Sequence, residues 1–268
     1  MTSFPAFTDH IIALLFGLFI PVVSGLRSAQ AFKTLRMNEV QRKRFYISNS
    51  YFLWMVALVI IINWLLRRRP FDILGITTAP DLNGFVLTLT IAFILLYTTD
   101  SYLTLRNESE IEKAKEHWKE TSPFMPVHYR ELPAYIFMCI SAGICEEILF
   151  RGFLVPYTQT FFADNPYSET YAVAIPAFVF ALAHYYQGAH AVLKIAVLSV
   201  LFGFIFIYSG SLWVVIILHF GIDLAGGLLS IRYLTNDDLS EDCPEDETSQ
   251  EAEKDDTEQK TDETGHRN

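Results

Sequence analysis

Ile195 to Ile222 runs for 28 residues without a lysine, arginine, aspartate or glutamate. Phe45 to Leu66 does the same over 22 residues, and Leu82 to Thr99 over 18. A helix needs about 20 apolar residues to cross a hydrocarbon layer ~30 Å thick. Inside that layer every backbone polar group must be satisfied within its own segment, which leaves the helix as the element such runs can form. Candidate spans fall at about 10–26, 46–66, 84–103, 132–158, 168–187, 190–208 and 211–231. The sequence therefore predicts an all-α, polytopic transmembrane helix bundle of about seven spans, with six to eight as the range.

The first span could be taken for a signal peptide. Its flank, "MTSFPAFTDH", has no basic residue, and no small-residue cleavage site follows, so an uncleaved helix is expected. The fourth span stays apolar past Arg151 through "GFLVPYTQTFF". It reads either as one long tilted helix or as a helix broken near Pro156.

The formal net charge of −10 belongs to one end of the chain. Residues 236–268 hold 14 acids and 3 bases, leaving 16 acids and 17 bases in the rest. This tail has no aromatic and no β-branched aliphatic residue, so it cannot bury enough surface to fold and is expected to be disordered. The chain then divides into an N-terminal three-helix membrane region, 1–131, with a polar loop at about 104–131; a second set of membrane helices, 132–235; and the acidic tail, 236–268. Basic residues set the orientation. The first and third connections carry eleven lysines and arginines, against Arg67, Arg68 and Arg69 in the second. That puts the N-terminus outside, and the first and third loops and the acidic tail in the cytoplasm. A compact chain of this kind points to a prokaryotic plasma membrane.

The three cysteines, Cys139, Cys145 and Cys243, form no CxxC pair, which argues against a disulfide framework or a thiolate zinc site. No glycine-rich phosphate loop and no isolated basic patch suited to nucleic acid occurs. The lipid bilayer is the one partner that composition supplies.

Against this apolar background, "GICEEILFRG" (143–152) stands out. A charge at mid-bilayer costs about 2.5–3.5 kcal/mol on insertion scales. Glu146, Glu147 and Asp223 together would cost on the order of 8–10 kcal/mol if unpaired. Glu147 and Arg151 are four apart, share a helix face and can form an ion pair. Glu146 points about 100° away, and its i+4 neighbour is Phe150. One carboxylate is thus structural and the other free, and a free desolvated carboxylate suits a general base. His184 follows Phe180 by four residues near the end of the fifth span. His219 and Asp223 share one face of the seventh. Amide hydrolysis needs a base for water, a proton carrier and donors for an oxyanion, and this set holds candidates for each.

The pattern Glu-Glu-x-x-x-Arg (Glu146, Glu147, Arg151), then Phe-x-x-x-His (Phe180, His184), then His-x-x-x-Asp (His219, Asp223) resembles the CPBP intramembrane protease family, which includes the CAAX prenyl endoproteases and the Abi bacteriocin-processing and immunity proteins. The likeness covers roughly 130–231. It implies an intramembrane endopeptidase acting on membrane-bound or lipidated peptides near a C-terminus or leader. Glu146, aided by His184, would activate water; Glu147 and Arg151 would hold the site together; His219 and the residue four later would stabilise the oxyanion. Asparagine is the usual residue at that last position, and this chain has Asp223. An ionised carboxylate cannot donate to an oxyanion. Asp223 must therefore carry a proton, hold His219 as imidazolium, or bind a metal; the i, i+4 spacing favours the second. A catalytic zinc wants three protein ligands. His184, His219 and Glu146 could supply them only by ending the freedom of Glu146 as base, so a glutamate- and histidine-activated water is the preferred reading. Two other classes fit less of the pattern: a catalytically silent scaffold or immunity protein of the same family, and an ion- or proton-coupled transporter, for which no inverted repeat is present.

Overall fold

The computed structural model describes residues 4–241, with side chains through Thr235. Its described residues form eight helices and no strand. These are α1 (Phe7–Ala31), α2 (Glu39–Leu66), α3 (Gly84–Leu105), α4 (Glu108–Thr121), α5 (Tyr129–Thr160), α6 (Ser168–Ala183), α7 (Ala189–Ser209) and α8 (Trp213–Glu241).

Local chemistry sets where they begin and end. Asn38 caps α2 by accepting from the Gln41 N–H, while the Gln41 side chain reaches back to the Asn38 N–H. This reciprocal pair satisfies two donors that a helix start leaves unpaired. Asn83 caps α3 through the N–H groups of Phe85 and Val86, and Asn107 caps α4 through Glu110. Gly210 ends α7 at φ +65°, the left-handed geometry that lets the chain turn at once into α8.

Six helices are long and apolar enough to cross a membrane: α1, α2, α3, α5, α7 and, over Trp213–Thr235, α8. The remaining expected span, 168–187, is the shorter apolar helix α6 followed by a 3₁₀ turn, Tyr185–Gln187. Large apolar side chains lie bare around the bundle, Phe178 at 62% and Ile217 at 65% exposed among them. Such a surface needs lipid rather than water against it. The chain is an integral membrane protein.

The long fourth span is one run of helix through Pro156, and its departure from α geometry lies earlier. Directly after Glu147 the helix widens into π turns over Ile148–Leu154 and returns to α geometry at Val155. A proline ring clashes with the carbonyl four residues back, here that of Gly152, and the wider turn relieves that contact. Half of the most apolar stretch of α5 is buried, against 11% for α3. Thus α5 is the central helix, packed between α2 and α8, with α6 against α7 and α1.

Two of the loop cations used for orientation are buried instead. Arg42 pairs with Glu131 through both carboxylate oxygens, at 2.6 and 3.0 Å. Arg69 pairs with Asp9 in the same two-pronged way, at 2.9 and 2.7 Å. These pairs tie the two ends of α2 to α5 and α1, and they reduce the loop comparison to about ten against two. The boundary expected at 235 falls within α8, whose helix runs on to Glu241. Residues 242–268 of the acidic tail, Cys243 among them, lie outside the described residues.

Candidate active site

Glu147 is fully buried at the point where α5 leaves α geometry. One of its oxygens, Oε1, accepts from Arg151 Nη1 at 2.9 Å and from His219 Nδ1 at 2.8 Å. The other, Oε2, is buried and makes no hydrogen bond. Arg151 is 2% exposed. Its second nitrogen donates to Ser199 Oγ at 2.7 Å and to the Ser199 carbonyl at 3.3 Å. The guanidinium lies over the rings of Phe180 and Phe202, 4.8 and 5.2 Å from their centroids. A buried arginine needs such company: charge-assisted hydrogen bonds on its edge and aromatic faces on its plane. Ser199 Oγ, Arg151, Glu147 and His219 form one hydrogen-bonded chain across α7, α5 and α8.

The chain fixes the tautomer of His219. Its Nδ1 must carry the proton given to Glu147, so Nε2 faces the remaining groups. Two carboxylates stand beside that nitrogen, Asp223 Oδ2 at 3.6 Å and Glu146 Oε2 at 3.9 Å. Neither distance is a hydrogen bond. The residue that orients the imidazole is therefore not Asp223. Glu147 does so, because α5 approaches His219 from the Nδ1 side, while Asp223 lies one turn along the same helix. Glu146 accepts no hydrogen bond among the described residues, and its side chain is 19% exposed.

His184 sits just past the end of α6. Its Nδ1–H donates to the Phe180 carbonyl at 2.8 Å, which leaves Nε2 with the lone pair in the neutral ring. It forms no hydrogen bond or ion pair with Glu146, His219 or Asp223 among the described residues. The Phe180 ring neighbours both imidazoles, its centroid 4.6 Å from that of His184 and 6.1 Å from that of His219.

Among the described residues no three His, Cys, Asp or Glu side chains converge as a metal's ligands would.

Glycines bring the helices this close. A Cβ on Gly143 would lie 3.3 Å from the main-chain Ile216 O and Phe220 N, so α8 rests directly on α5 one turn before Glu147. Neither Gly143 nor Ser199 is marked by the sequence. A glycine or serine inside an apolar helix is ordinary, and only the partner helix shows what it does.

All six residues singled out from the sequence lie between 146 and 223. Residues 128–225 match the family model of Type II CAAX prenyl endopeptidase Rce1-like. Neither the curated proteins nor the solved structures gave a match to the chain. The matched stretch holds all of α5, α6 and α7, and α8 as far as Ala225, and over this segment it supports a place in the CPBP/CAAX protease family.

Proposed function

We propose that the protein is an intramembrane endopeptidase that hydrolyses a peptide bond of a membrane-bound or lipidated substrate near its C-terminus or leader. The observation that carries this reading is the contrast between two adjacent carboxylates. Glu147 is bound by Arg151 and His219, whereas Glu146 accepts no hydrogen bond and is partly exposed. A glutamate kept free in an apolar membrane core is a costly feature, and a base for water is the role that uses it.

In this mechanism Glu146 takes a proton from water while the water oxygen adds to the substrate carbonyl carbon. His184 Nε2, left with the lone pair by the ring's bond to the Phe180 carbonyl, helps to hold that water. Charge develops on the carbonyl oxygen. His219, held through Nδ1 by Glu147 and kept charged by the nearby Asp223, donates Nε2–H to it. Preorganised donors of this kind typically contribute about 10²–10³-fold in rate. The proton on Glu146 then passes to the leaving amine as the carbon–nitrogen bond breaks. Glu147 and Arg151 touch neither substrate nor water and fix His219.

Purified protein in liposomes tests the reading. One reporter peptide carries a prenylated cysteine near its C-terminus and a second carries a membrane-tethered leader. Cleavage of either by the parent and by none of the Glu146→Gln preparations supports a protease. Intact reporters with folded parent protein count against it and favour a silent scaffold.

A further inference from the structure

We infer that Tyr135 is a positioning residue for the candidate site, acting through the main chain of the turn that carries Asp223; the inference rests on the protease reading above. The Tyr135 hydroxyl donates to the Asp223 carbonyl at 3.0 Å. From the other flank, the Tyr97 hydroxyl on α3 donates to the neighbouring Ile222 carbonyl at 3.2 Å. In an α-helix those carbonyls already accept from the N–H groups four residues on, which here belong to Gly226 and Gly227. Two consecutive helix carbonyls thus take a second donor each, one from α5 and one from α3.

Glycine makes the first of these contacts possible. A Cβ on Gly227 would fall 2.1 Å from Tyr135 Cε1, so no other residue at 227 leaves the ring where it is. Tyr135 is 3% exposed and has no room to swing away. Tyr46 meets its ring edge-on at a centroid distance of 5.4 Å, and Tyr46 is itself anchored by donating to the Phe124 carbonyl at 2.7 Å.

The register of α5 against α8 explains why this matters. Tyr135 precedes Glu146 by eleven residues, about three helical turns, and so lies on nearly the same face. The two helices touch at three levels: Glu147 on His219, Gly143 on Phe220, and Tyr135 on Asp223 and Gly227. His219 is fixed by its own ring hydrogen bond. The Asp223 carboxylate has none among the described residues, and it stands 3.6 Å from His219 Nε2. Its direction therefore follows from the setting of its own helical turn, and the Tyr135 hydroxyl is what holds that turn against α5.

Tyr135→Phe isolates the hydroxyl, because the ring and its packing on Gly227 remain. Steady-state cleavage of a reporter that the parent hydrolyses is measured in liposomes, with a thermal melt of each protein. The expected result is a kcat about three- to tenfold lower, the worth of one neutral hydrogen bond, with KM within about twofold and an almost unchanged melt. Adding Tyr97→Phe lowers kcat further. Unchanged kcat in Tyr135→Phe overturns the role while leaving the protease reading intact. A fall in kcat matched by a large fall in melting temperature also overturns it, since that marks a structural residue. A parent that cleaves no reporter overturns both.

Discussion

Glu147 and His219 meet across the α5–α8 interface through a 2.8 Å hydrogen bond between Oε1 and Nδ1, and the same oxygen also takes Arg151 at 2.9 Å. One buried atom thus joins a buried cation to an imidazole. Stability and chemistry are coupled at that point and separable on either side of it.

Arg151→Ala tests the stability side. It removes the cation beside Phe180 and Phe202 and leaves the buried Glu147 carboxylate with His219 as its one hydrogen-bond partner among the described residues. Removing one partner of a buried pair costs about 3–5 kcal/mol. Expression and detergent melting temperature are both expected to drop, and activity with them. An inactive Arg151→Ala protein that melts like the parent would instead assign Arg151 a direct chemical role.

Glu146→Gln tests the chemical side. Glu146 takes part in no hydrogen bond that the amide would break. Cleavage is expected to vanish while the melting curve stays close to that of the parent, since glutamine keeps the size of the side chain and no hydrogen bond is lost. A turnover number equal to the parent's removes Glu146 from the mechanism.

Gly143→Ala tests the spacing of the two helices. Its Cβ would meet main-chain atoms of Ile216 and Phe220 at 3.3 Å, and backbone cannot rotate aside as a side chain can. Helix α8 must shift by a few tenths of an ångström, taking His219 and Asp223 with it. Overpacking of this kind costs about 1–3 kcal/mol. The expected loss of kcat exceeds the loss of stability, because catalytic geometry tolerates less displacement than folding does. Comparing kcat with the melting temperature checks this. A variant that loses stability and keeps its kcat would show that α8 adjusts without moving the site.

What the sequence reveals and what it hides divide along a physical line. Charge in an apolar run is costly wherever the run ends up, so Glu146, Glu147, Arg151, His219 and Asp223 stand out before any fold is known. The Glu147–Arg151 pair follows from helix periodicity alone. The third partner of Glu147 does not, since His219 lies 72 residues away and only the packing of α8 on α5 brings it there. Ser199, Gly143 and Tyr135 are hidden for the same reason, being common residues in common helices until a neighbour gives them a task. Arg42 and Arg69 mislead in the opposite sense. They read as loop cations by position, yet each is held inside by an acid distant in sequence. The π turns after Glu147 have no simple sequence mark beyond Pro156 downstream.

Asp223→Asn decides how the oxyanion is met. In the geometry seen, Asp223 Oδ2 lies 3.6 Å from His219 Nε2, near enough to favour a charged imidazole and too far to orient it. Glu147 already sets the ring. An ionised Asp223 therefore contributes charge rather than direction, and replacing it with a neutral amide leaves the geometry intact. The expected outcome is a turnover lowered about tenfold and not abolished, with the melting temperature unchanged, because a partly screened charge interaction is worth about 1–2 kcal/mol. Asparagine can also donate a hydrogen bond where aspartate as an anion cannot, and this limits the loss. The check is kcat for parent and variant on one reporter across a range of pH. Equal or higher turnover in Asp223→Asn, with an unaltered profile, would mean that Asp223 works as a protonated donor, and the charge-holding role would be withdrawn.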